Sequence, residues 1–359
     1  MRILHVVGAR PNFPKLAPVF HAGRLVGLDQ LVVHTGQHYD ALLSSGFFDD
    51  LDIPAPDFNL EVGSATHAVQ TARILERFEP VLTSCMPDWL VVYGDVNSTM
   101  ATALVAAKLG VRIAHVEAGL RSGDRGMPEE INRIVADRLA DLLLTPSRDA
   151  DEALKREGES PEKIVFVGNV MIDSLLRALP RAEATGASRR LGADGSHVVV
   201  TLHRPSNVDD EARLRAIAGA LAAIGETRSV YFPSHPRTRD RIAAFGLPMG
   251  RVALIDPLPY YDMVDVMRGA HAVITDSGGI QEETTALGVP CFTVRDNTER
   301  PITIELGTNT LLGLEPERLR QLPTLLAEPK HGQIPPLWDG HAGERAAEEI
   351  ERLVVGVTA

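Results

Sequence analysis

In "AVITDSGGIQEETTALGVP", residues 272–290, a run of small apolar residues stops at Asp276, Ser277 and two glycines, and a helical pattern with two adjacent glutamates follows. Glycines at a strand-to-helix turn let backbone N–H groups approach a ligand closely, and a helix N-terminus favours an anion. Ser277, Gly278 and Gly279 are therefore a candidate diphosphate cradle. One turn on, Glu283 is placed to accept hydrogen bonds from a ribose. Taken alone, the same residues also read as an ordinary Ser-capped helix with solvated glutamates.

Other polar residues with chemical potential fall after apolar runs. Arg10 and Lys15 follow the first run in "VVGARPNFPK", and Asp95 follows "VVYG". Glu117, Arg121 and the Glu129/Glu130 pair lie in "HVEAGLRSGDRGMPEEINR". His203 and Arg204 end "VTLHR", and His235 and Arg237 lie in "FPSHPRT". Each has a purely structural alternative. Asp95 suits a turn or helix cap, Glu117 a buried ion pair with Arg121, Glu129 and Glu130 a dipole-stabilised helix start after Pro128, and His203 a satisfied core histidine.

The elements that must position these residues recur as a short apolar run, a polar or Gly turn, and a helical pattern. The first half has "RILHVVG", "LVVHTG", "WLVVYGD", "RIAHVEAG" and "LLLTPS"; the second has "HVVVTLH", "SVYFPSH", "VALIDP", "AVITDS" and "PCFTV". Continuous apolar strands alternating with helices are covered on both faces, which means parallel sheets. The fold class is α/β, with two Rossmann-like doubly wound domains. Residues 1–175 form the first and 190–340 the second, joined through the Ala/Gly/Ser/Arg-rich stretch 178–196; a helix within 341–359 packs back on one of them. Ligands of such sheets bind at the carboxyl ends of the strands, where the polar residues above fall.

Composition narrows the function classes. The 359-residue chain is 44% hydrophobic with a net charge of −12, which disfavours a general nucleic-acid or acidic-membrane surface. No window approaches the roughly 18 apolar residues of a membrane span, and the N-terminus lacks a signal-peptide pattern, so a cytoplasmic protein is expected. Cys85 and Cys291 give neither a disulfide framework nor a metal pattern. "HVE" at 115–117 has no matching P-C-x-x-C, "DLD" at 50–52 reads as a solvated helix end, and neither G-x-G-x-x-G nor a P-loop occurs.

The blocks "GARPNFPKLAP", "TGQHYD", "GDVNSTMA", "HVEAGLRSGD" with "MPEEINR", "TLHR", "DSGGIQEE" and "TERP", in this order, resemble the non-hydrolysing UDP-N-acetylglucosamine 2-epimerases over nearly the whole chain. The resemblance implies a GT-B-like fold whose two domains face a cleft. It implies interconversion of UDP-GlcNAc and UDP-ManNAc by anti-elimination of UDP to 2-acetamidoglucal, then re-addition with inversion at carbon 2. It implies Asp95, Glu117, Glu129 and His203 as catalytic residues, and Arg10, Lys15, Ser277, Gly278, Gly279, Glu283 and Arg300 as UDP contacts. No metal or cofactor is called for; the partner is a UDP-sugar, with a homodimer as the assembly.

Gln37, Gln70, Arg204 and His235 match a regulatory UDP-GlcNAc site of bacterial members, although Ser206 in "HRPSN" replaces the Glu of "HRREN". Met263 stands where many members have Phe, and Ile302 replaces the Glu of "ERPE". Two alternatives share these motifs: a hydrolysing epimerase that releases N-acetylmannosamine, and a GT-B-type glycosyltransferase or nucleotide-sugar binder.

Overall fold

The computed structural model describes residues 2–37, 48 and 51–355. The chain divides into two compact units, Met1–Ser174 with Pro336–Ala359, and Leu175–Pro335. In the first, the described strands are β1 (Arg2–Val7), β2 (Asp29–His34), β3 (Phe58–Asn59), β4 (Trp89–Tyr93), β5 (Arg112–Val116), β6 (Leu142–Thr145) and β7 (Ile164–Phe166). They form a parallel sheet in the order β3-β2-β1-β4-β5-β6-β7.

The second unit repeats the plan with β8 (Val198–Thr201), β9 (Val230–Pro233), β10 (Ala253–Ile255), β11 (Ala272–Thr275), β12 (Cys291–Thr293) and β13 (Asn309–Leu311). Its parallel order is β10-β9-β8-β11-β12-β13. Helices alternate with the strands in both units, so each is a Rossmann-like doubly wound unit. In each sheet the chain reverses its direction of growth beside the first strand, at β1/β4 and at β8/β11. Such a reversal leaves a crevice at the carboxyl ends of the two strands.

The continuous apolar strands follow from burial on both faces. On β4, Trp89, Val91 and Tyr93 pack with Phe13, Leu16 and Phe20 of helix Phe13–Leu25. The alternate residues Leu90 and Val92 pack on the other side with Ile74, Phe78 and Leu82 of helix His67–Cys85. Each large side chain so buried contributes about 1.5–3 kcal/mol. In the second unit, Val198, Val200, Phe232, Ile274 and Phe292 pack with Leu214, Ile217 and Leu221 of helix Glu211–Gly225.

Three strands absent from the sequence reading, β3, β7 and β13, are two or three residues long and sit at sheet edges. Their extended form comes from pairing with a neighbouring strand, which so short a run does not advertise. Both cysteines are buried free thiols, and among the described residues no helix is long and apolar enough to cross a membrane.

Helix Ala342–Val355 belongs to the first unit, where Ala342, Ala346 and Ile350 join the cluster containing Phe13 and Trp89. Its start is held by Asp173, whose Oδ2 accepts the Gly343 N–H at 2.7 Å. Burial pushes the Asp173 carboxyl up to about 6, against the pull of the Gly343 and Ala342 N–H groups. A carboxyl raised by folding favours the native state below its unfolded value near 4, and that contribution is lost as pH rises through about 6. Asp173→Asn keeps an acceptor for Gly343 without the buried charge. The stability of the variant relative to wild type is expected to improve by up to about 3 kcal/mol between pH 4 and pH 8 in chemical denaturation; a constant difference would refute this account.

Candidate active site

In the first unit the polar residues gather at the carboxyl ends of β1, β2, β4 and β5. Asn12 ties the first turn together: its Oδ1 accepts the Gly8 and Ala9 N–H groups at 3.1 and 3.0 Å, and its Nδ2 donates to the Tyr93 carbonyl. Just beyond β4, Gly94 takes a left-handed backbone with φ 63°. A Cβ there would lie 2.6 Å from Lys15 Nζ and 3.0 Å from Glu117 Oε2. The missing side chain leaves the slot in which Lys15 and Glu117 form a buried ion pair. Glu117, the first residue after β5, is itself left-handed at φ 71°. Arg10 is exposed at the end of β1.

Glu117 is thus paired with Lys15, not with Arg121. Arg121 instead binds Asp137 at 2.7 Å and, through two further bonds, Glu157. Asp137 also accepts from His115 Nδ1 at 2.6 Å, while the other ring nitrogen of His115 bonds the Gly94 carbonyl at 2.8 Å. Burial opposes ionisation of Asp137, but His115 and Arg121 outweigh it and hold the carboxyl below its usual range. This triad braces the Gly94 turn from behind. The sequence signals this triad weakly, because Asp137 lies 22 positions from His115.

Asp95 does not cap the following helix, Asn97–Lys108, whose N-cap is Val96. The carboxylate of Asp95 pairs with Arg133 Nη2, and its carbonyl accepts from Asn132 Nδ2 at 2.9 Å. Arg133 Nη1 also holds Glu130, at 2.9 Å. The two glutamates of the pair separate here. Glu130 is buried and accepts from Ser122 N, Ser122 Oγ and Gly123 N at 2.9–3.0 Å. Glu129 stands partly exposed in the first turn of helix Pro128–Leu139.

Gln37 and Gln70, both buried, come together: Gln70 Nε2 donates to the Gln37 carbonyl at 2.8 Å. Gln37 Oε1 accepts from Ser98 N and Oγ, and Gln70 Oε1 accepts from Asn97 at 2.7 Å. Asn132 bridges Asn97 to the Asp95 loop, so the glutamines and Asp95 share one hydrogen-bond network. Of "TGQHYD", His38, Tyr39 and Asp40 lie outside the described residues, as does Asp50 of "DLD"; Asp52 is exposed.

In the second unit Asp276 organises the ends of β8 and β11. It is fully buried and accepts from the His203 and Arg204 N–H groups and from Asn207 Nδ2 at 2.9–3.2 Å. His203 Nδ1 lies 2.8 Å from Asp276 Oδ1, yet the side chain is 61% exposed, so it is not a core histidine. Desolvation of Asp276 is outweighed by His203, the Arg204 N–H and Asn207, which keep its carboxyl below the ordinary range. The aspartate therefore fixes the ring by one nitrogen and leaves the imidazole open to solvent. Arg204 Nε donates to the Asp276 carbonyl, and His235 is exposed at the N-cap of helix Pro236–Ala244.

Ser277 occupies the N-cap of helix Gly278–Leu287, but its side chain makes no capping bond, contrary to the Ser-cap reading. Ser277 N donates to Thr275 Oγ1 at 3.0 Å. Arg300 lies directly against the turn: a Cβ on Gly278 would come within 2.6 Å of its Nη1. The buried guanidinium is balanced by Glu282 Oε2 at 2.8 Å and Glu299 Oε2 at 3.4 Å. Gly279 is half-buried, and no group within 4 Å would oppose a Cβ there.

Glu283 is buried beside Tyr260, whose hydroxyl donates to Oε1 at 3.2 Å. Burial pushes the Glu283 carboxyl up to about 7; Tyr260 pulls it down and Glu282 adds to the rise. Of the family departures, Ser206 is exposed, Met263 is partly buried on helix Tyr260–Arg268 and Ile302 is buried. Among the described residues no group of three or more His, Cys, Asp and Glu side chains is arranged to hold a metal ion.

Residues 24–351 match the family described as UDP-N-acetylglucosamine 2-epimerase. A UDP-N-acetylglucosamine 2-epimerase of Methanocaldococcus jannaschii is 40% identical over 356 residues, covering 96% of this chain and 97% of that protein. A UDP-2,3-diacetamido-2,3-dideoxy-D-glucuronate 2-epimerase of Pseudomonas aeruginosa is 41% identical over 358 residues, covering 98% of this chain and all of that one, 100%. The crystal structure of M. jannaschii UDP-GlcNAc 2-epimerase in complex with UDP-GlcNAc and UDP superposes with a TM-score of 0.88 at 38% identity, over 98% of this chain and 100% of its own. With a GT-B-like pair of Rossmann units, its motif residues at the strand ends and these matches over nearly its full length, the chain belongs to the UDP-N-acetylglucosamine 2-epimerase family.

Proposed function

We propose that the chain interconverts UDP-GlcNAc and UDP-ManNAc without releasing the free sugar. The observation that supports this reading is that Asp95 and Glu117 follow β4 and β5 in one unit, with Glu129 in the first turn of the helix whose Arg133 pairs with Asp95. The hydrogen on carbon 2 of the sugar is not acidic in the ground state. As the bond from carbon 1 to the UDP oxygen lengthens, positive charge on the ring acidifies it. A carboxylate then takes the proton, the C–H electron pair forms the C1–C2 double bond, and UDP leaves with the bonding pair of the C1–O bond. Reversal from the opposite face protonates carbon 2 with inversion and restores the bond to UDP. Two faces require acid/base groups on both, which a single carboxylate cannot supply.

The second unit takes the nucleotide in this reading. Ser277, Gly278 and Gly279 present backbone N–H groups to the diphosphate, with Arg300 against the same turn. His203, held by Asp276, stabilises charge on the departing phosphate, and Arg10 adds a cation at the end of β1. Glu283 accepts from the ribose hydroxyls. Gln37, Gln70, Arg204 and His235 serve substrate regulation, with Ser206 weakening that site relative to members that carry Glu. A cytoplasmic homodimer is the setting this reading carries.

The Pseudomonas relative supports a second substrate reading, a UDP-2,3-diacetamido-2,3-dideoxyglucuronate, with the same chemistry at carbon 2. Proton NMR with each sugar in heavy water separates the two. The expected product is UDP-ManNAc bearing deuterium at carbon 2; turnover of the diacetamido sugar alone would move the assignment, and free N-acetylmannosamine would select hydrolysis.

Asp95→Asn, Glu117→Gln and Glu129→Gln are each expected to lower this exchange by at least about 100-fold while UDP affinity stays within about threefold. Unchanged turnover in any variant removes that residue from the chemistry. For Glu283, the ionised form is the better acceptor for two ribose hydroxyls and becomes populated as pH rises through about 7. Wild-type affinity for UDP should gain up to about tenfold from pH 6 to 8 relative to Glu283→Gln in calorimetric titrations. Equal pH slopes in the two proteins would remove Glu283 from ribose recognition.

A further inference from the structure

Motif matching groups Lys15 with the cations that meet UDP. The local structure points elsewhere. Lys15 lies in the first turn of helix Phe13–Leu25, where the helix dipole disfavours a cation. Its stem is buried, and Nζ bonds Glu117 Oε2. The position therefore asks for an anion beside the ammonium, and Glu117 supplies one.

Three further features are built around the pair. Gly94 withholds the side chain that would strike both charged atoms, its Cβ falling 2.6 Å from Nζ and 3.0 Å from Oε2. Glu117 is held in a left-handed backbone that a non-glycine residue adopts only when its surroundings impose it. The imposing contacts are present: the Glu117 and Ala118 N–H groups both reach the Leu144 carbonyl at 3.1 Å, and the Gly94 N–H reaches the Val116 carbonyl at 3.0 Å. The other charges nearest in sequence are committed elsewhere, His115 and Arg121 to Asp137, and Asp95 to Arg133. A strained backbone, a vacant Cβ position and a buried cation all converge on one carboxylate oxygen.

We propose that Lys15 is a positioning residue for the Glu117 carboxylate and not a contact of the substrate diphosphate. The inference rests on the reading of Glu117 as an acid/base group for carbon 2. Lys15 compensates the buried charge and fixes the direction of the carboxylate, and a misaimed base costs turnover without costing nucleotide affinity.

The test compares wild type, Lys15→Met, Lys15→Arg, Glu117→Gln and the double variant Lys15→Met/Glu117→Gln. UDP binding is followed by calorimetry, carbon-2 exchange of UDP-GlcNAc by NMR, and stability by thermal melting. Lys15→Met is expected to lose about 30-fold or more in exchange with UDP affinity within about twofold, and Lys15→Arg to recover about tenfold of that loss. A loss of tenfold or more in UDP affinity with exchange retained at saturation would overturn the proposal.

The melting temperatures test the pair without relying on catalysis. The double variant should melt above Lys15→Met, because it removes the unpaired buried carboxylate; strictly additive losses would overturn the pairing. If Lys15→Met does not fold, a folded double variant supports the proposal, and an equally unfolded one refutes it. Absence of exchange in wild type would defeat the epimerase reading alone, since UDP affinity and melting still decide whether Lys15 serves Glu117.

Discussion

Every polar device in this protein is constrained by one fact: both sheets are parallel and covered by helices on both faces. Along β4 the side chains alternate between two apolar clusters, so a charged group has no place on the strand body. His5 illustrates the cost of an exception. Its ring is buried between Tyr93 and Gln30, and burial depresses its pKa to about 4, which keeps it neutral. On the described strands themselves, the Asp, Glu, Lys and Arg residues fall only at strand starts, as Arg2, Asp29 and Arg112 do. The reversals at β1/β4 and β8/β11 turn the strand ends into crevices, so the same topology that builds the core also selects the candidate site.

Behind the strand ends, two buried aspartates, Asp137 on helix Pro128–Leu139 and Asp276 after β11, do the structural work. Asp137 ties His115 and Arg121 together behind the Gly94 turn; Asp276 ties the ends of β8 and β11 and holds His203 by one ring nitrogen. Both carboxyls stay below their usual range because their hydrogen bonds and charged partners exceed the cost of burial. Glu130 does similar service for the Ser122–Gly123 turn and shares Arg133 with Asp95. Arg133 thereby links the loop after β4 to the start of helix Pro128–Leu139, the two segments that carry Asp95 and Glu129. Asp95 and Glu130, the buried neighbour of Glu129, are held jointly through that one guanidinium.

The longer strands were legible because a doubly covered strand must be apolar throughout, and that leaves a run such as "WLVVY" or "HVVVT" in the sequence. Edge strands β3, β7 and β13 were not, whereas β10 and β12, also three residues long, stood out inside the longer runs "VALIDP" and "PCFTV". Site residues were legible as types at strand ends, but their pairings were not. Lys15 meets Glu117 across 102 positions of sequence, and His203 meets Asp276 across 73. No local spacing encodes such partners. Arg121 shows the hazard: Glu117, four residues before it, is the obvious choice, but the fold gives it Asp137 and Glu157. Likewise Glu129 and Glu130 are indistinguishable as types, and only helix phase decides which one is buried.

These pairings bear on how an acidic chain can accept an acidic ligand. Arg300 touches the Gly278 turn, but Glu282 and Glu299 already balance its charge; Arg204 reaches the Asp276 carbonyl, and Lys15 is occupied by Glu117. With a net charge of −12, long-range electrostatics repel the diphosphate of the proposed substrate. In the proposed site, affinity would come from short-range, directed donors: the N–H groups of a glycine turn whose serine makes no capping bond, and a guanidinium held against it. Such donors discriminate by geometry more than by charge. An arrangement of that kind suits the proposed cycle, in which the same diphosphate is released and recaptured, because recapture needs alignment and an excess of positive charge would hinder release.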